Sequence, residues 1–179
     1  MTQLPALYLA TVALLERQSR WLLPTLARVV FAGVLLGYFW ASAATKLDGP
    51  LSPSLGAYAQ IFPRQFEALG YDVGQMGLWQ RLVVLTGTYA EFLLPALIAL
   101  GLFTRLAAAG MAGFVLVQSL TDIYGHGTGL GAWFDRASDA LILDQRALWL
   151  LLLVVLIVKG GGPLALDRLS GLVSPRLPA

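Results

Sequence analysis

The chain has 179 residues, 58% of them hydrophobic and 12% charged, with a mean hydropathy of +0.73. That balance excludes an ordinary soluble domain and predicts an integral membrane protein, with a single domain covering residues 1–179. The absence of cysteine excludes a disulfide, an iron–sulfur cluster or a thiol relay built from this chain alone, and a net charge of +2 on scattered arginines offers nucleic acid no basic surface.

The opening stretch, "MTQLPALYLATVALLERQSRW", has no positive n-region and places Glu16, Arg17 and Arg20 after its apolar part, so it does not fit a cleaved signal. Leu4, Tyr8, Val12 and Leu15 share one helical face. Two readings follow: an amphipathic helix lying at the membrane interface, or a plain apolar tether. Beyond it, spans are expected at about residues 21–46, 77–103, 106–124 and 138–159, giving an all-α bundle of four transmembrane helices.

The first span carries Arg28 one turn after Pro24, roughly 10 Å in from its start, where an arginine either snorkels to the headgroups or meets an acid. The loop that follows contains "SLGAYAQIFPRQFEALG", expected to form an amphipathic piece on the membrane surface. Glu91 falls near the middle of the second span, where a carboxylate is costly enough to suggest function. Pro95, four residues on, cannot donate to the Glu91 carbonyl, so side chain and freed carbonyl make one polar spot. Its expected partner is Arg28, or else a protonated Glu91 bonds the hydroxyl of Thr88 or Tyr89. A structural ion pair and a proton-handling or ligand-binding carboxyl both fit these residues.

After the third span, "YGHGTGLGAWFDRASDALILDQRALW" gathers the only histidine, His126, with Asp135, Asp139 and Asp144, and Asp122 stands just upstream. From Ala147 to Val158 there are only twelve uncharged residues, about 18 Å of helix, so the fourth span is expected to begin within "ASDALILDQR". Continued outward as helix, Asp135, Asp139 and Arg146 fall within a narrow arc. Arg146 is then expected to meet Asp139 or Asp122. A metal at His126 would have to recruit aspartates around a single imidazole, and none is expected. The two readings left are a turn whose imidazole bonds a nearby carboxylate, and a proton-exchanging or quinone-contacting group.

Orientation rests on Arg17, Arg20, Arg105, Lys159, Arg168 and Arg176 on the side of both termini, against Lys46, Arg64, Arg81, Arg136 and Arg146 on the other. The small excess predicts cytoplasmic termini, with His126 and the long first loop facing outward.

Three stretches, "RVVFAGVLLGYFWASAATKL", "EFLLPALIALGLFTRLAA" and "DQRALWLLLLVVLIVKGGGPLALD", resemble the DoxX family of small four-helix bacterial membrane proteins. Arg28, Lys46, Glu91, the "GLFTR" turn ending at Arg105 and the "GGGPLALD" run ending at Asp167 match recurrent positions of that family. The resemblance implies a multi-pass protein of the bacterial inner (cytoplasmic) membrane. The family is named after a subunit associated with a terminal quinol oxidase, a related subunit belongs to a thiosulfate:quinone oxidoreductase, and other members look like anchors for redox or detoxification partners.

Three functions are compatible with these residues. In the first, the chain is a redox-associated subunit that binds quinone or quinol near the outer surface. Glu91 and His126 would exchange protons, while Arg28, Tyr124, Trp133, Asp139 and Arg146 would contact the ligand, with Phe134 beside them. Electrons would come from a protein partner carrying redox cofactors, since no cofactor is expected to be covalently bound here. In the second, the chain is a non-catalytic anchor or assembly subunit in the lipid bilayer, alone or as a homo-oligomer. In the third, Arg28 and Glu91 line a small transporter or proton pathway.

Overall fold

The structure, a computed structural model, describes residues 3–171, with side chains from Ala6 onward. The Leu4 side chain and Arg176 lie outside the described residues. One unbroken helix is formed by α1 (Gln3–Phe31), a π-helical turn (Ala32–Leu36) and α2 (Gly37–Ala44). A short antiparallel hairpin follows, β1 (Leu47–Gly49) with β2 (Ser52–Pro53), pairing Leu47 with Pro53 and Gly49 with Ser52. Next come α3 (Leu55–Ile61), α4 (Pro63–Ala68) and a 3-10 turn (Val73–Gln75). The long helices α5 (Leu78–Leu100) and α6 (Thr104–Tyr124) lead through an irregular segment to a second π-helical turn (Leu141–Arg146), α7 (Ala147–Lys159) and the short α8 (Leu166–Leu169).

Among the described residues, four helices are long and apolar enough to cross a membrane: Ala6–Ala44, Leu78–Leu100, Thr104–Tyr124 and Leu141–Lys159. The chain is a multi-pass, all-α membrane protein. The four helices close into a ring in which α1 and α2 pack on α5, α5 on α6, α6 on α7 and α7 back on α1. Phe31, Phe39, Ile98, Met111, Leu153 and Leu156 fill its axis, while Val34, Leu93, Leu116 and Leu151 face outward and exposed. An outer surface of that kind is stable in hydrocarbon, where the backbone polar groups are already satisfied within the helices.

The first helix buries Ala27, Phe31, Leu35, Phe39 and Ala43, a strict four-residue step. At 3.6 residues per turn such a stripe drifts about 160° from its first to its last member. The wider π-helical turn at Ala32–Leu36 absorbs part of that drift, so Phe39 and Ala43 stay on the face that Ala27 began.

Three expectations change. The N-terminal stretch is helical, but it is continuous with the helix of the first span rather than a separate helix, and Pro24 does not end it. Thr25 packs against Gly162, and Arg28 lies level with Leu100 at the end of α5, so the part before about residue 25 extends past the bundle with Tyr8 and Leu15 exposed. The loop stretch "SLGAYAQIFPRQFEALG" does fold as two helices, with Ser54 capping α3 and Pro63 opening α4. Its apolar residues Ala57, Tyr58 and Phe66, however, pack on Val84 of α5 and so cover the bundle itself rather than the membrane. The fourth span begins within "ASDALILDQR", as expected, but at Leu141, and runs 19 residues. Asp135 and Asp139 therefore precede the helix, both exposed, and do not share a face with Arg146.

Candidate functional site

Glu91 is buried on α5, and its partner is Lys46. The Lys46 ammonium donates to both carboxylate oxygens at 2.7 Å and to the Ser42 hydroxyl at 2.7 Å. The expected partner, Arg28, lies nine residues of α5 away, about 14 Å of helix, and donates to the Leu100 carbonyl at 3.5 Å. The alternative hydroxyls are also engaged elsewhere: Thr88 donates to the Val84 carbonyl at 2.7 Å and Tyr89 to the Pro50 carbonyl. Arg28 and Glu91 are therefore not paired with each other.

Lys46 is placed by the chain reversal that follows it. Its carbonyl accepts the Ser54 N–H at 2.9 Å, and the Ser54 hydroxyl donates to the Thr45 carbonyl at 2.8 Å while accepting the Ala57 N–H. The hairpin of β1 and β2 thus folds back along α5, where Arg81 donates to the Leu51 carbonyl, and the lysine points into the bundle instead of out to water. Read as sequence, Lys46 is a loop charge. The available signal was the pairing of Ser42 one turn earlier with the turn-forming "DGP" directly after.

A second ion pair joins Arg146 to Asp122 of α6, as one of the two expected partners. Arg146 is 2% exposed and also donates to the Ser119 hydroxyl at 3.1 Å. Asp139 takes no part: its carbonyl accepts from the Gln145 amide at 3.5 Å, and its side chain is exposed.

Between these two ion pairs lies a cavity of about 730 Å³, walled by α5 and α6. Leu94, packed on Gly110, and the Lys46–Glu91 pair close its inner end; Asp122, Arg146 and His126 stand at its outer end. Gly110 to Asp122 is twelve residues of α6, about 18 Å of length. The space depends on missing side chains. A Cβ on Gly113 would meet nothing within 4 Å, and one on Gly87 only the Phe114 ring at 4.0 Å. A volume of this size, mostly apolar with a few polar groups, matches small-molecule sites.

His126 is exposed and its Nε2–H donates to the Gln60 carbonyl at 2.9 Å, rather than bonding the expected carboxylate. Since a carbonyl only accepts, Nε2 carries the proton and Nδ1 is left as the basic nitrogen. The bond holds the end of α3 over the cavity mouth, where Gln60 and Ile61 join the lining. Tyr124 is 67% exposed and outside the cavity, as are Trp133, whose indole donates to the Leu143 carbonyl at 2.8 Å, and the fully exposed Phe134. Of the residues expected at a site, the cavity brings together Glu91, His126 and Arg146; it leaves out Arg28, Tyr124, Trp133 and Asp139. Lys46 and Gln118 belong to it without having been expected there. Among the described residues no three His, Asp or Glu side chains converge as metal ligands.

Arg28 serves the opposite end of the bundle, where Asp167 is buried nearby. The Asp167 carboxylate accepts the N–H of Phe103 at 2.6 Å, the N–H of Thr104 at 2.8 Å and the Thr104 hydroxyl at 2.8 Å, while its own N–H donates to the Gly101 carbonyl. The first turn of α6 is thus capped from the far end of the chain.

A family model described as DoxX matches residues 23–122, which take in the second span, most of the first and third, and the glutamate–lysine pair. No curated protein and no solved structure matches the chain.

Proposed function

Because the chain belongs to the DoxX family of membrane proteins, we propose that it is a redox-associated subunit whose cavity binds a quinone or quinol for a partner oxidoreductase. One observation carries this reading: an apolar space about 18 Å long with an ion pair toward each end. A quinone needs an apolar slot for ring and tail plus a few polar groups that bond its oxygens and exchange protons. Glu91, held by Lys46, supplies a carboxylate that can accept a hydrogen bond or a proton at the inner end, and Arg146 with the Nδ1 of His126 supplies a donor and a base at the outer end. Electrons come from a protein partner that carries its own cofactors.

The experiment is photolabelling of the detergent-purified protein with an azido-benzoquinone, followed by peptide mapping. Label is expected on the cavity faces of α5 and α6 and is expected to disappear in Gly113→Phe, which fills the open space beside that glycine. Label spread over lipid-facing residues and indifferent to Gly113→Phe would overturn the reading.

The N-terminal part of α1 favours a second reading, a non-catalytic anchor. The helix from Gln3 to Ala44 is 42 residues and about 63 Å long, twice the hydrocarbon thickness, and its excess carries the exposed Leu7, Tyr8, Leu9, Leu14 and Leu15. A partner subunit or a second copy would dock there. Loss of partner co-purification on deleting residues 3–20, with cavity labelling unchanged, would put this reading first.

For orientation we propose cytoplasmic termini in an inner membrane. Lys46 and Arg146 are buried in ion pairs and drop out of the loop count, which leaves Arg64, Arg81 and Arg136 exposed on the His126 side against Arg17, Arg20, Arg105, Lys159 and Arg168 on the other. A cysteine at Gly127, in a chain that has none of its own, is expected to react from the periplasmic side; reaction from the cytoplasm alone would reverse the assignment.

A further inference from the structure

The cavity reaches residues that point away from the bundle. On α6, Met111 and Val115 are buried in the core. Gly113, two residues from each, stands about 160° round the helix from both and is exposed, yet it lines the cavity. The same holds on α5. Val84 continues the buried stripe of Glu91 and Ile98, and Leu82, two residues before it, is 49% exposed and also lines the cavity. Gly87 faces the Phe114 ring, which in this antiparallel pair sets Leu82 near the level of Val117, another lining residue and 63% exposed. A space that touches both Glu91 and the outward faces of α5 and α6 passes between the two helices. The cavity is therefore open sideways, through the seam of two membrane-crossing helices.

At the outer end α3 lies across the mouth, held by the bond from His126 to the Gln60 carbonyl. Among the described residues nothing covers the seam at Gly113, where a Cβ would meet nothing within 4 Å. A cavity of about 730 Å³ holds a drug-sized molecule, so a ligand with a long apolar tail keeps its ring inside and must let the tail out. Leaving past Asp122, Arg146 and His126, a hydrocarbon tail would strip polar groups of water and return no hydrogen bond. Between Leu82 and Val117 it meets only apolar side chains. Resting on the quinone-site reading above, we propose that the α5–α6 seam is a lateral portal. The ligand enters from the hydrocarbon rather than from water, and once bound keeps its tail in the seam beside Leu82, Thr86, Gly113 and Val117. The site thereby takes membrane-dissolved amphiphiles as a class.

The test is photolabelling of the full chain in lipid nanodiscs with two probes: a decyl-benzoquinone with an azide on the ring, and one with a diazirine at the end of the decyl tail. Only label displaced by excess unlabelled decyl-benzoquinone is counted, which removes insertion from bulk lipid. Ring label is expected inside the cavity, and tail label on Leu82, Thr86, Gly113 or Val117. Displaceable tail label at Gln60, Ile61 and His126, or anywhere else off the seam, would overturn the portal while the ring label left the quinone site standing. No displaceable label from either probe would sink the quinone-site reading itself. A second measurement follows the rate of ring labelling after rapid mixing. Leu82→Trp/Val117→Trp, which narrows the seam, is expected to slow it by at least about fivefold, and Leu116→Trp, exposed on α6 but outside the cavity, to leave it unchanged. Equal rates in the two variants would overturn the portal, and the tail probe decides in the wild-type protein if the double variant does not fold.

Discussion

The two ends of this bundle use the same materials, charged side chains and glycine, to opposite ends. Where Arg28 and Asp167 meet the α5–α6 turn, glycine is present because there is no room: a Cβ on Gly101 would lie 2.0 Å from Arg28 Nη1, and one on Gly161 or Gly162 2.6 Å from Thr104 or Thr25. At the other end, glycine keeps room open, with nothing within 4 Å of where a Gly113 Cβ would stand. The charges divide in the same way. Asp167 spends its oxygens on backbone and hydroxyl donors of α6 and closes the structure, whereas Lys46, Glu91 and Arg146 line a space that can admit a ligand. Buried charge in a membrane protein is thus not one signal: around Asp167 it is locked among backbone donors, and beside Gly113 it borders open space.

The largest effects should come from breaking the buried pairs. Arg146→Leu leaves Asp122 unpaired and is expected to cost about 3 to 5 kcal/mol, with Arg146→Leu/Asp122→Leu recovering most of it. Detergent melts of the four proteins check this, with Arg64→Leu, at an exposed site, as the neutral control. A single variant no worse than the control would show that the pair is not buried.

Next in size is a double-mutant cycle that asks which end Glu91 belongs to. Glu91→Gln and Lys46→Met should couple by about 2 to 3 kcal/mol, whereas Glu91→Gln and Arg28→Leu should add within about 0.5 kcal/mol. Coupling to Arg28 would erase the division between the ends.

The glycines give a more direct contrast. Gly101→Ala, at φ +73 with Arg28 and Ala165 in the way, should cost about 1 to 3 kcal/mol. Gly113→Ala, inside α6 and beside open space, should stabilise by up to about 1 kcal/mol while narrowing the cavity. Equal melting shifts of the same sign would defeat the comparison.

The smallest effect lies outside both ends. Asp72 is held below the usual carboxylate range by the side-chain amide of Gln75, at 3.0 Å, and the N–H of Gly74. Its contribution is present above the ordinary aspartate range and lost as pH falls through its lowered folded value. NMR titration of Asp72 should therefore show a midpoint below that of Asp72 in a short model peptide; a midpoint at or above it would remove the turn at Val73–Gln75 from the ordered structure.

The four spans were legible because lipid demands long apolar helices, and the Arg146–Asp122 pair was legible as one of two options. The partner of Glu91 was not. Sequence places Lys46 in a loop, and only the hairpin that folds back after it makes the lysine interior. Asp135 and Asp139 were misjudged for the converse reason. Helical periodicity was extended through residues whose backbone is already saturated locally, as where the Asp135 carboxylate takes the Ala137 N–H and the Asp144 carboxylate takes the Ala140 N–H. The cavity itself could not be read, because it is made of glycines on two helices whose relative rotation no periodicity reveals.

The cap on α6 also sets an order on the protein's biogenesis. Thr104 and the carboxylate that satisfies its N–H are 63 residues apart, so at about 5 to 20 residues per second a ribosome needs roughly 3 to 13 s between them. Once Tyr124 has been made, and for the rest of that interval, the α5–α6 hairpin is complete in length but carries an uncapped first turn, at the positive pole of a 21-residue helix. The bundle is consequently sealed at this end by a segment made after all four spans, and a chain released before Asp167 would have its membrane hairpin without the carboxylate that locks it.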